Sequence, residues 1–372
     1  MNSETGTRAE PAGISGRRRL LLGGMLGGLA AGVTGCAALP SGAGSLAASR
    51  ENPRRIDVHA HYLPERYRAA LVEAGHQKPS GMPGIPPWSA SDALRVMDRL
   101  RIASAVLSIS APGIHFGDNG KARTLARSVN EDGASAVRAH PDRFGFFASI
   151  PAPDIEGSLA ELAYAFDVLK ADGVVMSTNH LGVYQGDKRL APIYAELNRR
   201  RAVLFIHPND PYCPCCRPGT LMAPGLPYPM LEFMFETTRS VFNLILSGTL
   251  DRYPDIQVIV PHAGAAVPVL ADRVLAISPA MDLPAPLDKD RFFAALRGLY
   301  FDLAGYPLPR QLRPLLEIAD ERHILYGSDW PFTPEAKSAN LARDLDASTQ
   351  ISAEQFARFM RTNALTLFPR FA

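Results

Sequence analysis

The sequence predicts an α/β protein whose fold is a (β/α)8 barrel, also called a TIM barrel. From residue 55 onward, short β-rich runs alternate with amphipathic helical segments, and eight strands can be counted. Several of these runs end on a histidine or an aspartate, as barrel strands do where catalytic residues line the C-terminal face. The 372 residues, 47% of them hydrophobic, are enough for one large domain of this kind after an N-terminal leader and linker.

The first predicted strand ends in two histidines separated by one residue. In the run Arg55-Ile-Asp-Val-His-Ala-His, His59 and His61 occupy positions i and i+2, which point to the same face of an extended strand. Both imidazoles can therefore reach one cation. Taken alone, the spacing is also compatible with two half-exposed polar residues that bind no metal.

Three later runs end in a similar way. Residues 202–207 close on His207, residues 257–262 close on His262, and residues 323–329 close on Asp329. Each run has the pattern of a buried parallel strand with a polar residue at its C-terminal end. An isolated histidine at a strand end is often structural, but together these endings supply imidazole and carboxylate ligands suited to a divalent transition metal.

The segments between these strands complete the alternation. Ser91 or Asp92 is placed to cap the first helix of the series. The predicted helices cover residues 89–101, 121–139, 155–171, 190–200, 230–250 and 308–319, and the remaining strands cover residues 103–110, 143–151, 173–178 and 298–303.

The N-terminal segment resembles a twin-arginine export signal that ends in a lipobox. Arg17 and Arg18 precede a weakly apolar, glycine-rich stretch, and Val33-Thr-Gly-Cys then places Cys36 where acylation would occur. This pattern predicts a signal peptide at residues 1–35, a flexible linker at 36–53 and a barrel domain at 54–372. The protein would then be exported to the periplasm or cell surface and held at the membrane by lipid alone. An uncleaved flexible tail is the alternative.

Charge and cysteine content argue against two other classes of protein, those that bind nucleic acid and those that contain a zinc knuckle. The net charge is +2 and the longest run of Lys or Arg inside the predicted domain is the three residues 199–201, so nucleic acid is not an expected partner. Apart from Cys36, the cysteines form one cluster of Cys213, Cys215 and Cys216, without the second ligand pair that a zinc knuckle needs. We expect loop thiols or a local disulfide there.

The strand-end residues belong to longer motifs, namely Asp57-Val-His-Ala-His, Phe205-Ile-His-Pro, Pro261-His-Ala-Gly-Ala and Tyr326-Gly-Ser-Asp-Trp-Pro. With these motifs the chain resembles the amidohydrolase superfamily, and within it the branch of aminocarboxymuconate-semialdehyde and 6-methylsalicylate decarboxylases. The resemblance implies a barrel of the metal-dependent hydrolase type. In such a barrel His59, His61, His207 and Asp329 would hold one divalent ion, Zn2+ or alternatively Mn2+. His262 would hydrogen-bond the substrate or the water held at the metal.

A second metal ion is not expected. Members of this superfamily that hold two metals bridge them with a carboxylated lysine at the end of strand four. Here that strand, residues 173–178, contains no lysine, and the nearest ones, Lys170 and Lys188, lie before the strand and well after it. The sequence therefore predicts a mononuclear site with an open coordination position.

Other polar residues are candidates for substrate binding. His115 and His180 follow the C-terminal ends of predicted strands, so either could reach a substrate. Arg239 is a candidate partner for an anion if its helix begins near the pocket mouth, although a solvated helix face is an equally good account. His140 and His323 are interpreted as structural, because His140 ends a helix and His323 begins strand eight at the opposite face of the barrel.

The same residues support two enzymatic activities. In a decarboxylase of a small hydroxylated aromatic or unsaturated carboxylic acid, Asp329 and His262 would supply the proton that replaces CO2. In a hydrolase of a lactone, ester or amide, Asp329 would take a proton from the attacking water and His262 would steady the oxyanion.

Decarboxylation is favoured by apolar loops that suit a flat carboxylic acid, the small-molecule partner that we expect. These loops contain Ile114, Phe116, Tyr212, Leu221, Met222 and Tyr228. A non-catalytic, lipid-anchored binding protein is a third alternative, against which the complete ligand set argues. The oligomeric state is left open, with a homodimer as one candidate.

Overall fold

The computed structural model describes residues 49–212, 226–284 and 286–372. The predicted signal peptide, Cys36, most of the linker and the cluster of Cys213, Cys215 and Cys216 lie outside the described residues. Within the described part of the chain, no helix is both long enough and apolar enough to cross a membrane.

Eight parallel strands form the sheet, and each strand pairs with the next one along the chain. The sheet closes on itself because Asp57 of the first strand forms a parallel bridge with Tyr326, and the Val58 N–H donates to the Tyr326 carbonyl at 3.0 Å. The predicted (β/α)8 barrel is confirmed. The barrel strands are β1 Arg55–His61, β2 Ile102–Ser108, β3 Phe144–Ser149, β4 Gly173–Ser177, β5 Val203–His207, β6 Gln257–Val260, β7 Tyr300–Asp302 and β8 Ile324–Leu325.

Helices follow or precede the barrel strands. They are α1 Glu65–Glu73, α2 Ala90–Arg99, α3 Asn119–Ala139, α4 Ile155–Asp167, α5 Ala191–Arg199, α6 Glu232–Leu246, α7 Thr249–Arg252, α8 Val267–Ile277, α9 Lys289–Gly298, α10 Leu312–Ile318, α11 Glu335–Ala347, α12 Ala353–Ala357 and α13 Asn363–Leu367. A short antiparallel hairpin, Asn179–His180 with Val183–Tyr184, follows β4. This hairpin was not predicted from the sequence.

Local sequence accounts for where the helices begin and end. The Ser89 hydroxyl accepts from the Asp92 N–H at the start of α2, so the cap lies just before the predicted Ser91 or Asp92. The helix predicted over residues 230–250 is divided, because Gly248 adopts a left-handed conformation with φ of 69° between α6 and α7. Such a glycine ends a helix without the steric cost that a Cβ would add.

The position of His59 and His61 in β1 depends on an irregularity of the strand. The register of β1 against β2 shifts between Asp57 and Ala60, immediately before and around the two histidines. Strand irregularities of this kind re-aim side chains and occur often beside active sites. Ile56 and Val58 pack with Phe147 and Phe205 in one buried cluster. His59 and His61 lie further along the strand, at its C-terminal end.

Candidate metal centre and adjoining cavities

Four predicted ligands come together at the C-terminal end of the barrel. His59 and His61 of β1, His207 of β5 and Asp329 after β8 each offer one ligand atom, and these atoms lie within 4.8 Å of one another. The three histidines are buried, with exposed fractions of 0%, 0% and 3%. Three imidazole nitrogens and one carboxylate oxygen form a donor set that suits a divalent transition metal.

The second ring nitrogen of each histidine is held by an acceptor. Nδ1 of His59 lies 2.9 Å from Oδ2 of Asp302, Nδ1 of His61 lies 2.9 Å from the Ser108 hydroxyl, and Nδ1 of His207 lies 2.8 Å from the Pro208 carbonyl. Contacts of this kind fix the tautomer that leaves Nε2 free as a ligand. Nε2 of His59 is buried and has no hydrogen-bond partner among the described residues. The arrangement therefore fits a metal ion.

The structure also agrees with a single metal ion. β4 ends at Ser177, and the described residues contain one group of side chains spaced as metal ligands. No lysine lies in this strand, so the carboxylated lysine that bridges two metals in the binuclear proteins of the superfamily that the sequence resembles has no counterpart there.

Two buried carboxylates support the site and were not singled out from the sequence. Asp302, at the end of β7, accepts from the backbone N–H groups of His262 at 3.0 Å and Ala304 at 2.9 Å, besides contacting His59. Asp57 accepts from the N–H groups of His59 and Ser328, both at 3.0 Å. For Asp302, the available signal was an aspartate one residue before the end of the predicted seventh strand, residues 298–303.

Burial and neighbouring charges set the protonation of the cluster. Burial holds the pKa of His207 well below its usual range and also lowers that of His61. Burial by itself lowers the pKa of His59 too, but the Asp302 and Asp329 carboxylates together outweigh burial and raise the pKa to about 10. Although burial opposes ionisation of Asp329, hydrogen bonds from the surrounding imidazoles hold its pKa well below the usual range. Without a cation, His59 thus keeps a proton between two carboxylates, and a metal ion must displace that proton.

His262 lies beside the ligands on an unusual backbone. Its φ is 56° and that of Asp329 is 57°, values that few residues other than glycine adopt. The Gln311 side chain stabilises the backbone at His262 by donating to the His262 carbonyl at 2.8 Å. Thr333 donates to Oδ2 of Asp329 at 2.7 Å. Nε2 of His262 is 4.0 Å from that oxygen, so the imidazole is within reach of a molecule bound at the four ligands.

Two cavities meet at this cluster. The first, called here the apolar cavity, has a volume of about 350 Å³ and is lined by His262 and Asp329 together with Phe233, Met234, Ala304 and Phe332. The second, called here the polar cavity, has a volume of about 340 Å³, and Ser149, Ser177, His180, Asn209 and Asp210 contribute to its wall. His207 and Ser110 line both cavities, so the two adjoin at a metal ligand.

The structure separates the three candidate substrate-binding residues. His115 and His180 line the polar cavity, as do Ile114, Phe116 and Tyr212 from the apolar loops. Arg239 lines neither of these two cavities. Its side chain is 52% exposed, forms an ion pair with Glu236 at 3.2 Å and lies over the Tyr184 ring.

The structure describes two further residues from the sequence analysis, His140 and His323. His140 follows the last residue of α3, and Nδ1 of His323 contacts the Arg297 carbonyl at 2.8 Å before β8 begins. Both positions fit the structural interpretation. Leu221 and Met222 lie outside the described residues.

Comparison with known proteins identifies the family of this chain. The amidohydrolase family model matches residues 56–370. The 6-methylsalicylic acid decarboxylase of Penicillium expansum is 37% identical over 320 residues, which cover 85% of this chain and 96% of that protein.

Solved structures agree with the fold. One, described as amidohydrolase II, has a TM-score of 0.78 and 33% identity and covers 85% of this chain and 99% of its own. The 5-carboxyvanillate decarboxylase of Novosphingobium aromaticivorans, solved with manganese and a nitrobenzoic acid, has a TM-score of 0.73 and 23% identity. It covers 85% of this chain and 96% of its own.

Proposed function

This chain belongs to the amidohydrolase family, and from that premise we propose that it is a metal-dependent decarboxylase of a small hydroxylated aromatic carboxylic acid. The observation that carries the proposal is the convergence of three histidines and Asp329 at the wall of an apolar cavity large enough for one ring. The relative named as a 6-methylsalicylic acid decarboxylase aligns over nearly its whole length, which favours decarboxylation over the hydrolase alternative.

The side chains of the apolar cavity suit the substrate and the change it undergoes. Phe233, Met234 and Phe332 provide apolar surface for a flat ring and keep water from it. A divalent ion, when bound, supplies positive charge that stabilises the negative charge left on the substrate as CO2 departs. The carbon that loses CO2 must then receive one proton. We assign that transfer to His262 and Asp329, which face the same cavity.

Replacement of His262 tests the assignment of the proton. His262→Gln keeps all four ligands, so we expect the metal content to stay near wild type while kcat falls by about 100-fold or more. Elemental analysis and steady-state kinetics on the same preparation are the measurements. A variant that loses metal and activity together would show that His262 acts through the metal site instead.

Solvent isotope incorporation tests the reaction itself. In D2O, a decarboxylase places deuterium on the ring carbon that lost CO2, which mass spectrometry of the phenolic product detects. Hydroxylated benzoic acids such as 6-methylsalicylate are the substrates to try, with lactones and esters beside them. Cleavage of lactones or esters without CO2 release would overturn the proposal in favour of a hydrolase.

We further propose that the site holds one ion per chain, with Zn2+ as the first candidate and Mn2+ as the alternative. The nitrogen-rich donor set supports Zn2+, whereas the manganese in the related carboxyvanillate decarboxylase supports Mn2+. Reconstitution of the metal-free protein with each ion, followed by elemental analysis and assay, distinguishes them. Two equivalents of tightly bound metal per chain would contradict the proposal.

Export and lipid anchoring are proposed on the sequence alone. Arg17 and Arg18, a weakly apolar stretch and a lipobox ending in Cys36 occur in the order that such signals require. We expect the mature chain to begin at an acylated Cys36 in the membrane fraction, which mass spectrometry can establish. A chain in the same fraction that retains Met1, or a Cys36→Ser variant with unchanged membrane attachment, would argue against it.

A further inference from the structure

Three residues that line the polar cavity each have a polar side-chain atom without a hydrogen-bond partner among the described residues. The atoms are Oγ of Ser149, Nε2 of His180 and Oδ1 of Asp210, and all three atoms are buried. Ser149 as a whole is only 3% exposed. Buried polar atoms in folded proteins are almost always paired with protein, water or ligand. Three in one wall therefore indicate that the cavity is built to receive something polar.

The surrounding hydrogen bonds fix these residues without using the three atoms. The Asn130 side chain binds both backbone groups of Ser149, at 2.8 Å to its N–H and 2.9 Å to its carbonyl. The Asp210 carbonyl accepts from the Asn179 side chain at 2.9 Å, and the Asp210 N–H donates to Asn209. The backbone of two wall positions is thus held in place, and their side-chain oxygens remain for a ligand.

The chemistry of the three atoms restricts what that ligand can be. Burial, with a contribution from His115, lowers the pKa of His180 to about 3, so its ring is neutral near neutral pH. A serine hydroxyl and a neutral imidazole can each donate or accept, whereas an ionised carboxylate only accepts. Burial raises the pKa of the Asp210 carboxyl, so a second carboxylate placed here would meet a group whose surroundings already disfavour negative charge. A hydroxyl group can donate to Asp210 and accept from Ser149 or His180.

We propose that the polar cavity binds a ring hydroxyl group of the substrate, one other than the group that approaches the metal ligands. This inference rests on the proposed decarboxylase function, because the polar cavity adjoins the apolar cavity at His207 and Ser110. A ring held against the metal ligands can then extend a substituent into the polar cavity. Ser149, His180 and Asp210 would be residues that determine specificity for a dihydroxylated over a monohydroxylated benzoic acid.

Paired ligands that differ by one hydroxyl test this inference. Dissociation constants of salicylate and of each of its ring-hydroxylated derivatives are measured by calorimetry on the metal-reconstituted full chain. We expect at least one derivative to bind about tenfold or more tightly than salicylate, because a site built around a hydroxyl rejects the analogue that lacks it. The preference should fall to about twofold or less in Ser149→Ala and Asp210→Ala, with salicylate binding little changed.

Ser158→Ala is the matched control. Ser158 is also fully buried, and its hydroxyl also lacks a partner, but it does not line the polar cavity. This variant should keep the wild-type preference. Equal binding of salicylate and all derivatives to the wild type, failure of every hydroxylated compound to bind, or a preference that survives in both cavity variants would overturn the inference. Preferential binding without CO2 release would instead overturn the proposed reaction and leave the inference standing.

Discussion

The charged and polar groups at the two ends of the barrel are paired to different extents. At the N-terminal end, arginines are matched to acceptors: Arg143 binds Asp98 at 2.7 Å, Arg370 binds Asp172 at 2.6 Å, and the buried Arg55 pairs with Asp346. Arg55 also donates to the Leu100 carbonyl at 2.7 Å, although its Nε has no partner among the described residues. The charges at this end are therefore compensated from within the protein.

At the C-terminal end, uncompensated atoms collect around the two cavities. Nε2 of His59, Nδ1 of His262, Oγ of Ser149 and Nε2 of His180 are all buried without a hydrogen-bond partner in the described part of the chain. Leaving such atoms unpaired costs stability, and a ligand or ion that pairs with them recovers that cost as binding free energy. The comparison teaches that one end of this barrel contributes mainly to folding and the other mainly to binding, which is the division expected of barrel enzymes.

Removal of a metal ligand should have the largest effect on function. Loss of a residue that only supports a ligand costs about 10- to 100-fold in affinity or activity, so His59→Ala should lower kcat/KM by more than about 1,000-fold and abolish tight metal binding. Kinetics and elemental analysis are the readouts. His323→Ala removes a histidine beyond the other end of β8 and should keep both metal and turnover. A metal-replete, active His59→Ala protein would refute the ligand assignment.

Removal of a buried charge at the N-terminal end should lower the stability of the protein and leave its activity unchanged. Arg55→Met leaves Asp346 without its partner and should lower the free energy of unfolding by about 3 kcal/mol, while kcat/KM per folded molecule stays near wild type. Denaturant unfolding and active-site titration measure the two quantities. Arg322→Met breaks an ion pair whose arginine is 74% exposed, and should cost less than about 1 kcal/mol. Equal losses in the two variants would remove the contrast between buried and exposed pairs.

Asp302→Asn should have an intermediate effect on the metal site. The amide nitrogen placed opposite Nδ1 of His59 would no longer accept its proton, and the tautomer that presents Nε2 would be disfavoured. We expect metal affinity to fall about 10- to 100-fold, measured by competition with a chelator. Asp142→Asn, an exposed aspartate at the opposite end, should bind metal like the wild type. Unchanged affinity in Asp302→Asn would assign Asp302 a purely structural role.

The smallest predicted effect concerns pH and the polar cavity. The pKa of His180 is lowered from 6.5 to about 3, with burial as the main cause. Below about pH 6.5 the unfolded chain therefore binds a proton that the folded chain refuses, and the free energy of unfolding falls as the pH falls. Between about pH 7 and about pH 5.5, the metal-free wild type should lose about 1 kcal/mol more stability than metal-free His180→Gln. Parallel losses would show that His180 is solvated in the folded state.

Much of the site could be predicted because strand geometry is local. The alternation of side chains along a strand places His59 and His61 on one face, and the apolar runs that precede His207, His262 and Asp329 locate the C-terminal end of each strand. In a closed parallel barrel these ends form one rim. The ligand set therefore needed no knowledge of which strand lies beside which.

Helix boundaries were less well predicted where one residue decides them. The helix predicted over residues 308–319 is observed only over Leu312–Ile318, and α8, α9 and α11 were not predicted. The N–H groups of Gln311 and Leu312 both bond to the Pro307 carbonyl, which leaves a turn before α10 begins. Apolar periodicity locates a helix, but its ends depend on such individual hydrogen bonds.

By itself, the sequence predicted the fold class and the strand ends that carry the candidate metal ligands, since both follow from periodicities within single strands and helices, and the family resemblance selected four of these residues. Only the tertiary structure decided that Asp302 orients His59, a contact between residues 243 positions apart. Likewise it alone decided that Arg239 lies over the Tyr184 ring instead of facing a cavity, and that the site divides into an apolar and a polar cavity. These features depend on which side chains from separate strands and loops meet in space, and no local pattern encodes such meetings.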